Sequence, residues 1–306
     1  MQNDKTMFVF PGQGTQTIGM GADLARDFLV AKAVFDEIDE TLHQNLSKLM
    51  FSGDLDELTQ TQNAQPAIMA VSMAVFEILK TEGASLPQAV AGHSLGEYSA
   101  LCAAGVLTLS DTAKLLQARG NAMVKACLNA DGGMLALLGA TPEQVSDISK
   151  KSGCYIANDN CPGQIVLSGL IESIQKAQEL AEHMQIKRAV RLPVMGAFHS
   201  PLMQTASDEI SSLLESTTFM PPQIPVYFNV TADIDMEPTH YPNLLIKQIT
   251  SPVRWRELIA NSKAKNFIEC GTGCVLSGLI RRILPDTTCT SIGTTQDIKT
   301  FLTAKS

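Results

Sequence analysis

The pentapeptide G-H-S-L-G at residues 92–96 constrains the fold of this chain more than any other stretch. It follows the short apolar run 89–91 and precedes a helical pattern over residues 97–104. A strand, a G-x-S-x-G turn and a helix together form the context of a nucleophile elbow. The turn is so tight that side chains at the flanking positions would collide with the neighbouring strand or helix, so glycine is expected at both. The sequence therefore predicts a nucleophilic Ser94 at the start of a helix, with a merely structural tight turn as the alternative.

Length and charge limit the classes of protein to which the chain can belong. Its 306 residues allow a large core and suggest about two structural units. The net charge of −8 argues against wholesale binding to nucleic acid or to a membrane surface. No window has the ~18 apolar residues of a membrane helix, and the start lacks a signal-peptide pattern. The seven irregularly spaced cysteines favour reduced thiols in a cytoplasmic protein and disfavour a zinc site.

Strand patterns that alternate with helical patterns predict a mostly parallel sheet flanked by helices. These strands are expected at residues 7–10, 89–91, 226–230, 266–270 and 288–292. We expect Pro66 in the first turn of a long apolar helix, where its missing N–H costs nothing. We expect Ser110 or Asp111 to cap the helix that follows the elbow helix.

Residues 130–192 have a different pattern, in which the element order is β-α-β-β-α-β. This order is typical of a ferredoxin-like unit. Two of its strands, at 155–157 and 165–167, are expected to flank a loop rich in Asn, Asp, Pro and Gly. The segment has the size of a small subdomain inserted into the larger α/β unit.

A serine hydroxyl is a weak nucleophile and needs a base. Five histidines compete for this role: His43, His93, His183, His199 and His240. His93 adjoins Ser94, but neighbouring residues at a strand end point to opposite sides, so we interpret it as packing or substrate-facing. His199 lies in a loop of small and apolar residues, which favours a neutral imidazole that accepts a proton. The other three are interpreted as solvated or core histidines.

Arg119 lies on a mainly apolar helix face with Leu115, Leu116 and Met123. The spacing is compatible with an arginine that extends its head to solvent from the edge of that face. It is equally compatible with an arginine that serves the site of Ser94.

Six ordered motifs match one family. They are F-P-G-Q-G at 10–14, G-H-S-L-G-E at 92–97, Q-A-R-G at 117–120, A-x-x-N-x-P-x-Q at 157–164, G-A-F-H-S at 196–200 and Q-x-x-S-P-V-x-W at 248–255. Through these motifs the chain resembles the malonyl-CoA:acyl carrier protein transacylases of type II fatty acid synthesis. The resemblance runs from the first strand to the helix after Gly273, which is nearly the whole chain.

The resemblance implies an α/β fold, with an α/β-hydrolase-like core and an inserted ferredoxin-like subdomain. Residues 1–128 and 196–306 would form the catalytic subdomain, and residues 129–195 the small one. The implied activity is ping-pong transfer of malonyl from malonyl-CoA to the phosphopantetheine thiol of acyl carrier protein. No metal or redox cofactor is implied, and neither nucleic acid nor membrane is an expected partner. We expect a cytoplasmic monomer.

The resemblance also implies roles for individual residues. Ser94 would attack the thioester and hold the acyl group as an ester. His199 would act as the general base and then as the acid, oriented by the backbone carbonyl of Gln248. The backbone N–H groups of Leu95 and Gln13 would stabilise the oxyanion.

Two further residues acquire roles in substrate selection from the same resemblance. The guanidinium of Arg119 would bind both oxygens of the malonyl carboxylate, which is costly to leave unpaired in an apolar pocket. The ring of Phe198 would fill the space that an α-methyl branch needs. One methyl group is worth only about 1–3 kcal/mol, so selectivity against methylmalonyl should be partial.

Three other functions stay open at this stage: a serine hydrolase, a stand-alone transferase that loads polyketide carriers, and an inactive module that only binds a carrier. The carrier is expected to be acidic, as this chain is, so docking needs a local basic patch. The candidates are Lys187, Arg188 and Arg191 at the end of the insertion, and Arg281 and Arg282 at the end of a late helix. A merely solvated charged face is the alternative at both places.

Overall fold

A computed structural model of the chain describes residues 5–129 and 131–304. Within these residues the strands are β1 (Thr6–Phe10), β2 (Ala89–Gly92), β3 (Gly132–Leu138), β4 (Tyr155–Cys161), β5 (Gln164–Leu170), β6 (Arg188–Arg191), β7 (Val226–Tyr227), β8 (Ile234–Asp235), β9 (Asn266–Cys270) and β10 (Thr288–Ile292). The helices are α1 (Ala22–Asp27), α2 (Leu29–Leu42), α3 (Leu46–Ser52), α4 (Leu55–Thr59), α5 (Thr61–Thr81), α6 (Gly96–Ala103), α7 (Leu109–Asn129), α8 (Pro142–Ser152), α9 (Ile171–His183), α10 (Gln204–Ser216), α11 (Tyr241–Thr250), α12 (Trp255–Ser262), α13 (Val275–Ile283) and α14 (Thr295–Thr303). Short 3-10 turns lie at Pro201–Met203 and Pro238–His240.

The strands form two separate sheets. The central sheet has the order β10-β9-β1-β2-β7-β8, in which only the edge strand β8 is antiparallel to its neighbour. The second sheet has the order β4-β5-β3-β6 and is antiparallel throughout. The predicted α/β fold class is thus confirmed, and each sheet lies within one of the two predicted subdomains. The boundaries 1–128, 129–195 and 196–306 stay a prediction.

Strand β1 lies in the middle of the central sheet and is buried on both faces. Phe8 and Phe10 pack into one apolar cluster with the helix α5, while Met7 and Val9 pack into a second cluster on the opposite face. Burial on both faces explains why this strand is a continuous apolar run in the sequence. Because β1 and β2 are parallel neighbours, the loops after both strands meet at one edge of the sheet, where α/β proteins place their sites.

The prediction for Pro66 is wrong, because α5 begins at Thr61 and Pro66 is its sixth residue. Close packing against α7 accounts for the extra turn. A Cβ at Gly120 of α7 would lie 2.5 Å from the Cα of Gln62, so the two helix backbones nearly touch. Gln65 in this extra turn is fully buried. These contacts outweigh the one hydrogen bond that proline cannot donate.

The predicted cap of α7 is also corrected. The helix begins at Leu109, and Oγ1 of Thr108 accepts the N–H of Asp111 at 3.0 Å. The carboxylate of Asp111 in turn accepts the Thr108 hydroxyl at 2.7 Å. Thr108 is therefore the capping residue, and Asp111 is its partner in the first turn rather than the cap.

Strands β4 and β5 are longer than predicted and leave only Pro162 and Gly163 as their turn. Asparagine has a low β propensity, which is why residues 158–160 were expected in a loop. Pairing with β5 and a parallel bridge between Asn158 and Val253 override that propensity. In contrast, β7 ends at Tyr227, three residues earlier than expected. Among the described helices we find no segment with the length and hydropathy to cross a membrane.

Candidate active site

The turn between β2 and α6 requires glycine on both sides of Ser94. A Cβ at Gly92 would lie 1.8 Å from the backbone of Gly96, and a Cβ at Gly96 would lie 2.2 Å from the carbonyl oxygen of Phe10. Both distances are far below any real contact, so no other residue fits either position. Ser94 itself has a φ of +54°, a left-handed conformation that costs a residue with a side chain roughly 1–2 kcal/mol.

The strained backbone of Ser94 is held by the side chain of Asn229, which follows β7. Its Oδ1 accepts the N–H of Ser94 at 2.8 Å, and its Nδ2 donates to the carbonyl of Gly92 at 2.7 Å. The N–H of Asn229 donates in turn to the carboxyl group of Glu97, on the first turn of α6, at 2.5 Å. Burial raises the pKa of Glu97 to about 8. Asn229 therefore bridges the strand and the nucleophile on the two sides of the turn.

The hydroxyl of Ser94 is hydrogen bonded to the imidazole of His199. Oγ lies 2.8 Å from Nε2, and Nδ1 lies 2.9 Å from the backbone carbonyl of Gln248. A carbonyl only accepts, so Nδ1 carries the proton and Nε2 is free to accept the proton of the hydroxyl. Burial, reinforced by the nearby cation of Arg119, lowers the pKa of His199 to about 3. The imidazole is thus neutral at physiological pH, as a general base must be.

The guanidinium of Arg119 lies beside the same hydroxyl, in the interior of the molecule. Nη2 donates to Oγ of Ser94 at 3.2 Å and to Oε1 of Gln248 at 3.0 Å. Nη1 donates to Oε1 of Gln65 at 2.7 Å. Arg119 is 1% exposed, so the alternative of an arginine that extends to solvent does not apply.

A cavity of about 490 Å³ opens onto Ser94 between the two sheets. Its walls come from the loop after β1, the strands β3, β4 and β5, and the helix α13, and they include Gln13, Leu95 and Phe198. Among the described residues, no hydrogen-bond acceptor takes the backbone N–H of Gln13 or that of Leu95. Two backbone donors of residues that line the cavity are thus available, as an oxyanion requires. Phe198 is 6% exposed and borders the same space.

Residues 7–304 match the family model described as acyl transferase domain. The malonyl CoA-acyl carrier protein transacylase of Bacillus subtilis is 45% identical over 287 residues, covering 91% of this chain and 90% of the relative. This chain belongs to that family. The Escherichia coli K12 transacylase is 34% identical over 292 residues, which is 93% of this chain and 94% of the relative.

Solved structures agree with this assignment. The acyl-carrier-protein-S-malonyltransferase of Bartonella henselae superposes with a TM-score of 0.94 at 44% identity, covering 98% of this chain and 99% of that one. A malonyl-transacylase in complex with a type II PKS acyl-carrier protein superposes with a TM-score of 0.95 at 34% identity, again covering 98% and 99%. The transacylase family expected from the sequence motifs is confirmed.

In this transacylase chain His93 points away from the hydroxyl of its neighbour. Its Nε2 lies 2.8 Å from Oδ1 of Asn160 on β4, and its ring makes an edge contact with Trp255. Burial lowers the pKa of His93, which favours the neutral ring. His93 also borders the cavity, so it joins the elbow to the small sheet at the rim of the site.

The structure brings the two predicted basic clusters partly together. Lys187, Arg188 and Arg282 line a second cavity of about 610 Å³, which shares Ala136, Gln164 and Leu192 with the first. Nη1 of Arg282 donates to the side chain of Gln164 at 3.0 Å, so this arginine lies at the junction of the two cavities. Arg191 and Arg281 do not line it; they donate to the side chain of Gln178 and to the carbonyl of Cys289.

Three parts of the site are not predicted from the sequence: Asn229, Gln65 and the side chain of Gln248. Two of them have a weak signal. Asn229 follows a strand of the parallel sheet at the edge where sites form, and Gln65 directly precedes the apolar run at residues 66–71. The side chain of Gln248 donates through Nε2 to the carbonyl of Ser94 at 3.0 Å, in addition to the role of its backbone.

Proposed function

We propose that the chain is an acyl-carrier-protein S-malonyltransferase, which moves malonyl from malonyl-CoA to the phosphopantetheine thiol of acyl carrier protein through an ester on Ser94. The observation that carries this proposal is the buried guanidinium of Arg119, 3.2 Å from the hydroxyl that would bear the acyl group. Malonyl carries a free carboxylate, and an unpaired carboxylate in an apolar cavity costs several kcal/mol. The planar fork of arginine matches the two carboxylate oxygens. The names of the curated relatives support the same substrate and acceptor.

In the first half-reaction the oxygen of Ser94 attacks the thioester carbon of malonyl-CoA and its proton moves to Nε2 of His199. The negative oxygen that forms is stabilised by the N–H groups of Leu95 and Gln13, at typically about 3 kcal/mol each. The C–S bond then breaks, and the thiol of coenzyme A leaves with the proton from His199. The Gln248 carbonyl stabilises the imidazolium while it exists.

The second half-reaction reverses these steps with a different thiol. The phosphopantetheine thiol gives its proton to His199 and attacks the ester carbon, and Ser94 regains its hydroxyl when the C–O bond breaks. Thioester exchange is nearly balanced in energy, so the enzyme must chiefly keep water from the ester. The apolar side chains that line the cavity, such as Met123, Met134 and Phe198, support this exclusion. We further propose that Phe198 disfavours branched acyl groups, with a partial selectivity of about 1–3 kcal/mol.

Mass spectrometry of the intact protein tests the proposed transfer. We expect malonyl-CoA to add one malonyl group to the protein, at Ser94, and holo acyl carrier protein to remove it as malonyl carrier. Ser94→Ala should abolish the label. Arg119→Met should reduce malonyl loading much more than acetyl loading, because only malonyl has a carboxylate. Rapid steady hydrolysis would instead indicate a serine hydrolase, and no acylation would indicate an inactive carrier-binding module.

We propose that the carrier protein docks on the groove lined by Lys187, Arg188 and Arg282. The whole chain is acidic, but these three exposed cations form a local basic patch that suits an acidic partner. Their groove leads into the cavity of Ser94. The double variant Lys187→Glu, Arg188→Glu should raise the KM for carrier protein and leave loading from coenzyme A unchanged. Equal effects on both half-reactions would contradict the docking proposal.

The exposed lysines of α8 provide a matched control for this experiment. Lys150→Glu with Lys151→Glu makes the same charge change on the small subdomain, at residues that do not line the groove. We expect this control to alter neither KM. A rise in the carrier KM equal to that of the groove variant would indicate general repulsion rather than docking.

A second function is favoured by one neighbour, the malonyl-transacylase in complex with a type II PKS acyl-carrier protein. The chain would then load polyketide carriers instead of, or in addition to, fatty acid carriers. Transfer rates to a fatty acid carrier and to a type II polyketide carrier, measured side by side, distinguish the two. We also propose a cytoplasmic location, which the seven free thiols support, while the monomeric state stays a prediction.

A further inference from the structure

Every direct partner of the Arg119 guanidinium is electrically neutral. Nη1 donates to the amide oxygen of Gln65, and Nη2 donates to the amide oxygen of Gln248 and to the hydroxyl of Ser94. The ring of Tyr98 lies 5.7 Å away and completes the surroundings. Among the described residues no carboxylate forms an ion pair with Arg119.

A buried arginine without a carboxylate partner is unusual, because desolvating its charge is costly. The carboxyl group of Glu97 attracts Arg119 electrostatically, but it accepts the N–H of Asn229 and forms no ion pair with the guanidinium. Burial raises the pKa of Glu97 to about 8, which weakens its contribution as a fixed counter-charge. The charge of Arg119 is therefore held in place by neutral hydrogen-bond partners, and no ion pair among the described residues compensates it.

Gln65 is the partner that makes the shortest of these contacts, at 2.7 Å. It is fully buried in α5, and its Nε2 lies 3.5 Å from the sulfur of Met123, one turn beyond Arg119 on α7. The guanidinium has only donors, so the amide must present its oxygen to Arg119 and its nitrogen to the sulfur. The orientation of the amide is thereby fixed on both sides.

We propose that Gln65 is a positioning residue that determines acyl specificity: its neutral amide orients Arg119 without neutralising it, so that the carboxylate of the incoming acyl group is the first anion that forms an ion pair with this arginine. A glutamate at the same place would make the same contact and add a negative charge. It would hold Arg119 equally well and remove its attraction for a second carboxylate. The proposal rests on the proposed malonyl transfer, since it explains how that site selects a carboxylated acyl group.

The test is Gln65→Glu, which exchanges an amide for a carboxylate of nearly the same shape. We measure acylation of Ser94 by malonyl-CoA and by acetyl-CoA, with the urea midpoint as a control for folding. The ratio of kcat/KM for malonyl over acetyl should fall by roughly 100-fold, because a buried charge pair is typically worth several kcal/mol. Acetyl loading, which needs no cation, should fall much less than malonyl loading.

Gln60→Glu is the matched control, because it adds the same charge at the exposed start of the same helix. Its malonyl-to-acetyl ratio should equal that of the unmodified protein. An unchanged ratio in Gln65→Glu, or an equal loss of both loadings in the folded variant, would overturn the proposal. If the unmodified protein is not acylated by malonyl-CoA at all, the proposed function fails instead, so the two failures are distinguishable.

Gln65→Met provides a second variant if Gln65→Glu does not fold. Methionine has nearly the same length as glutamine but lacks the amide oxygen, so Arg119 loses one hydrogen-bond acceptor while its charge remains. Malonyl loading should fall about 10-fold, the loss expected for one hydrogen bond to a charged group. Acetyl loading should fall less than malonyl loading. Unchanged malonyl loading in Gln65→Met would show that Gln65 does not position Arg119 and would by itself overturn the proposal.

Discussion

The two hydrogen bonds of the Asn229 side chain predict that this residue holds the nucleophile in its strained conformation. Asn229→Ala removes the acceptor of the Ser94 N–H, at 2.8 Å, and the donor to the Gly92 carbonyl, at 2.7 Å. Asn229 is fully buried, so both backbone groups lose their partner inside the protein. An unsatisfied buried polar group costs about 1–3 kcal/mol, which gives roughly 2–6 kcal/mol for the pair. A water molecule in the vacated space would bring the expected loss to about 3 kcal/mol.

Urea denaturation measures this loss. With a slope of roughly 3 kcal/mol per molar, the midpoint should fall by about 1 M. Ser94 would also relax from its φ of +54°, so acylation by malonyl-CoA should slow by at least about 10-fold, the equivalent of about 1.4 kcal/mol. Asn261→Ala is the control: the side chain of this exposed residue makes one hydrogen bond within the described part of the chain, to the carbonyl of Ala232, and its loss should cost at most about 1 kcal/mol. Equal midpoints and equal acylation rates in the two variants would refute the role of Asn229.

Three further predictions concern pH and the elbow glycines. Burial holds the pKa of His199 at about 3, against 6.5 in an unfolded chain, so the free energy of unfolding should fall as pH drops from about 6.5 toward 3. His199→Gln should reduce that slope in urea titrations at a series of acidic pH values. Burial raises the pKa of Glu97 from 4.5 to about 8, so stability from this group should be lost as pH rises through that range. Glu97→Gln keeps an accepting oxygen and should flatten the same titration on the alkaline side; an unchanged slope would mean that the carboxyl is already ionised. Gly92→Ala should yield no folded protein, because its Cβ would lie 1.8 Å from backbone, whereas Gly278→Ala, with nothing within 4 Å, should fold and gain up to about 1 kcal/mol.

The parts of the fold that the sequence predicts well are those whose cause is local. The elbow follows from the steric demands on Gly92 and Gly96, and β1 follows from a continuous apolar run. Elements that depend on contacts between residues far apart in the chain are harder to predict from the sequence. The extra turn of α5 depends on Gly120, more than fifty residues later, and the length of β4 depends on pairing that overrides poor β formers.

The same distinction applies to the candidate site. Ser94 has a local motif, and the apolar loop around His199 indicates a neutral imidazole, whereas the resemblance to a family supplied the role of Arg119 and that of the Gln248 carbonyl. Asn229 lies 135 residues from the serine it contacts, and no local pattern relates the two. Periodicity alone left Arg119 ambiguous between solvent and site, because it specifies a helix face and not what packs against that face.

Gln248 uses three different atoms for three different partners: its backbone oxygen for His199, Oε1 for Arg119 and Nε2 for the Ser94 carbonyl. The base, the cation and the nucleophile are consequently all hydrogen bonded to a single residue near the end of α11. A displacement of that helix end would therefore disturb the contacts of all three groups at once. Truncating the side chain would remove its bonds to Arg119 and to the Ser94 carbonyl, while the backbone carbonyl that orients His199 stays in place. Kinetic effects of such a variant would therefore report on alignment rather than on proton transfer.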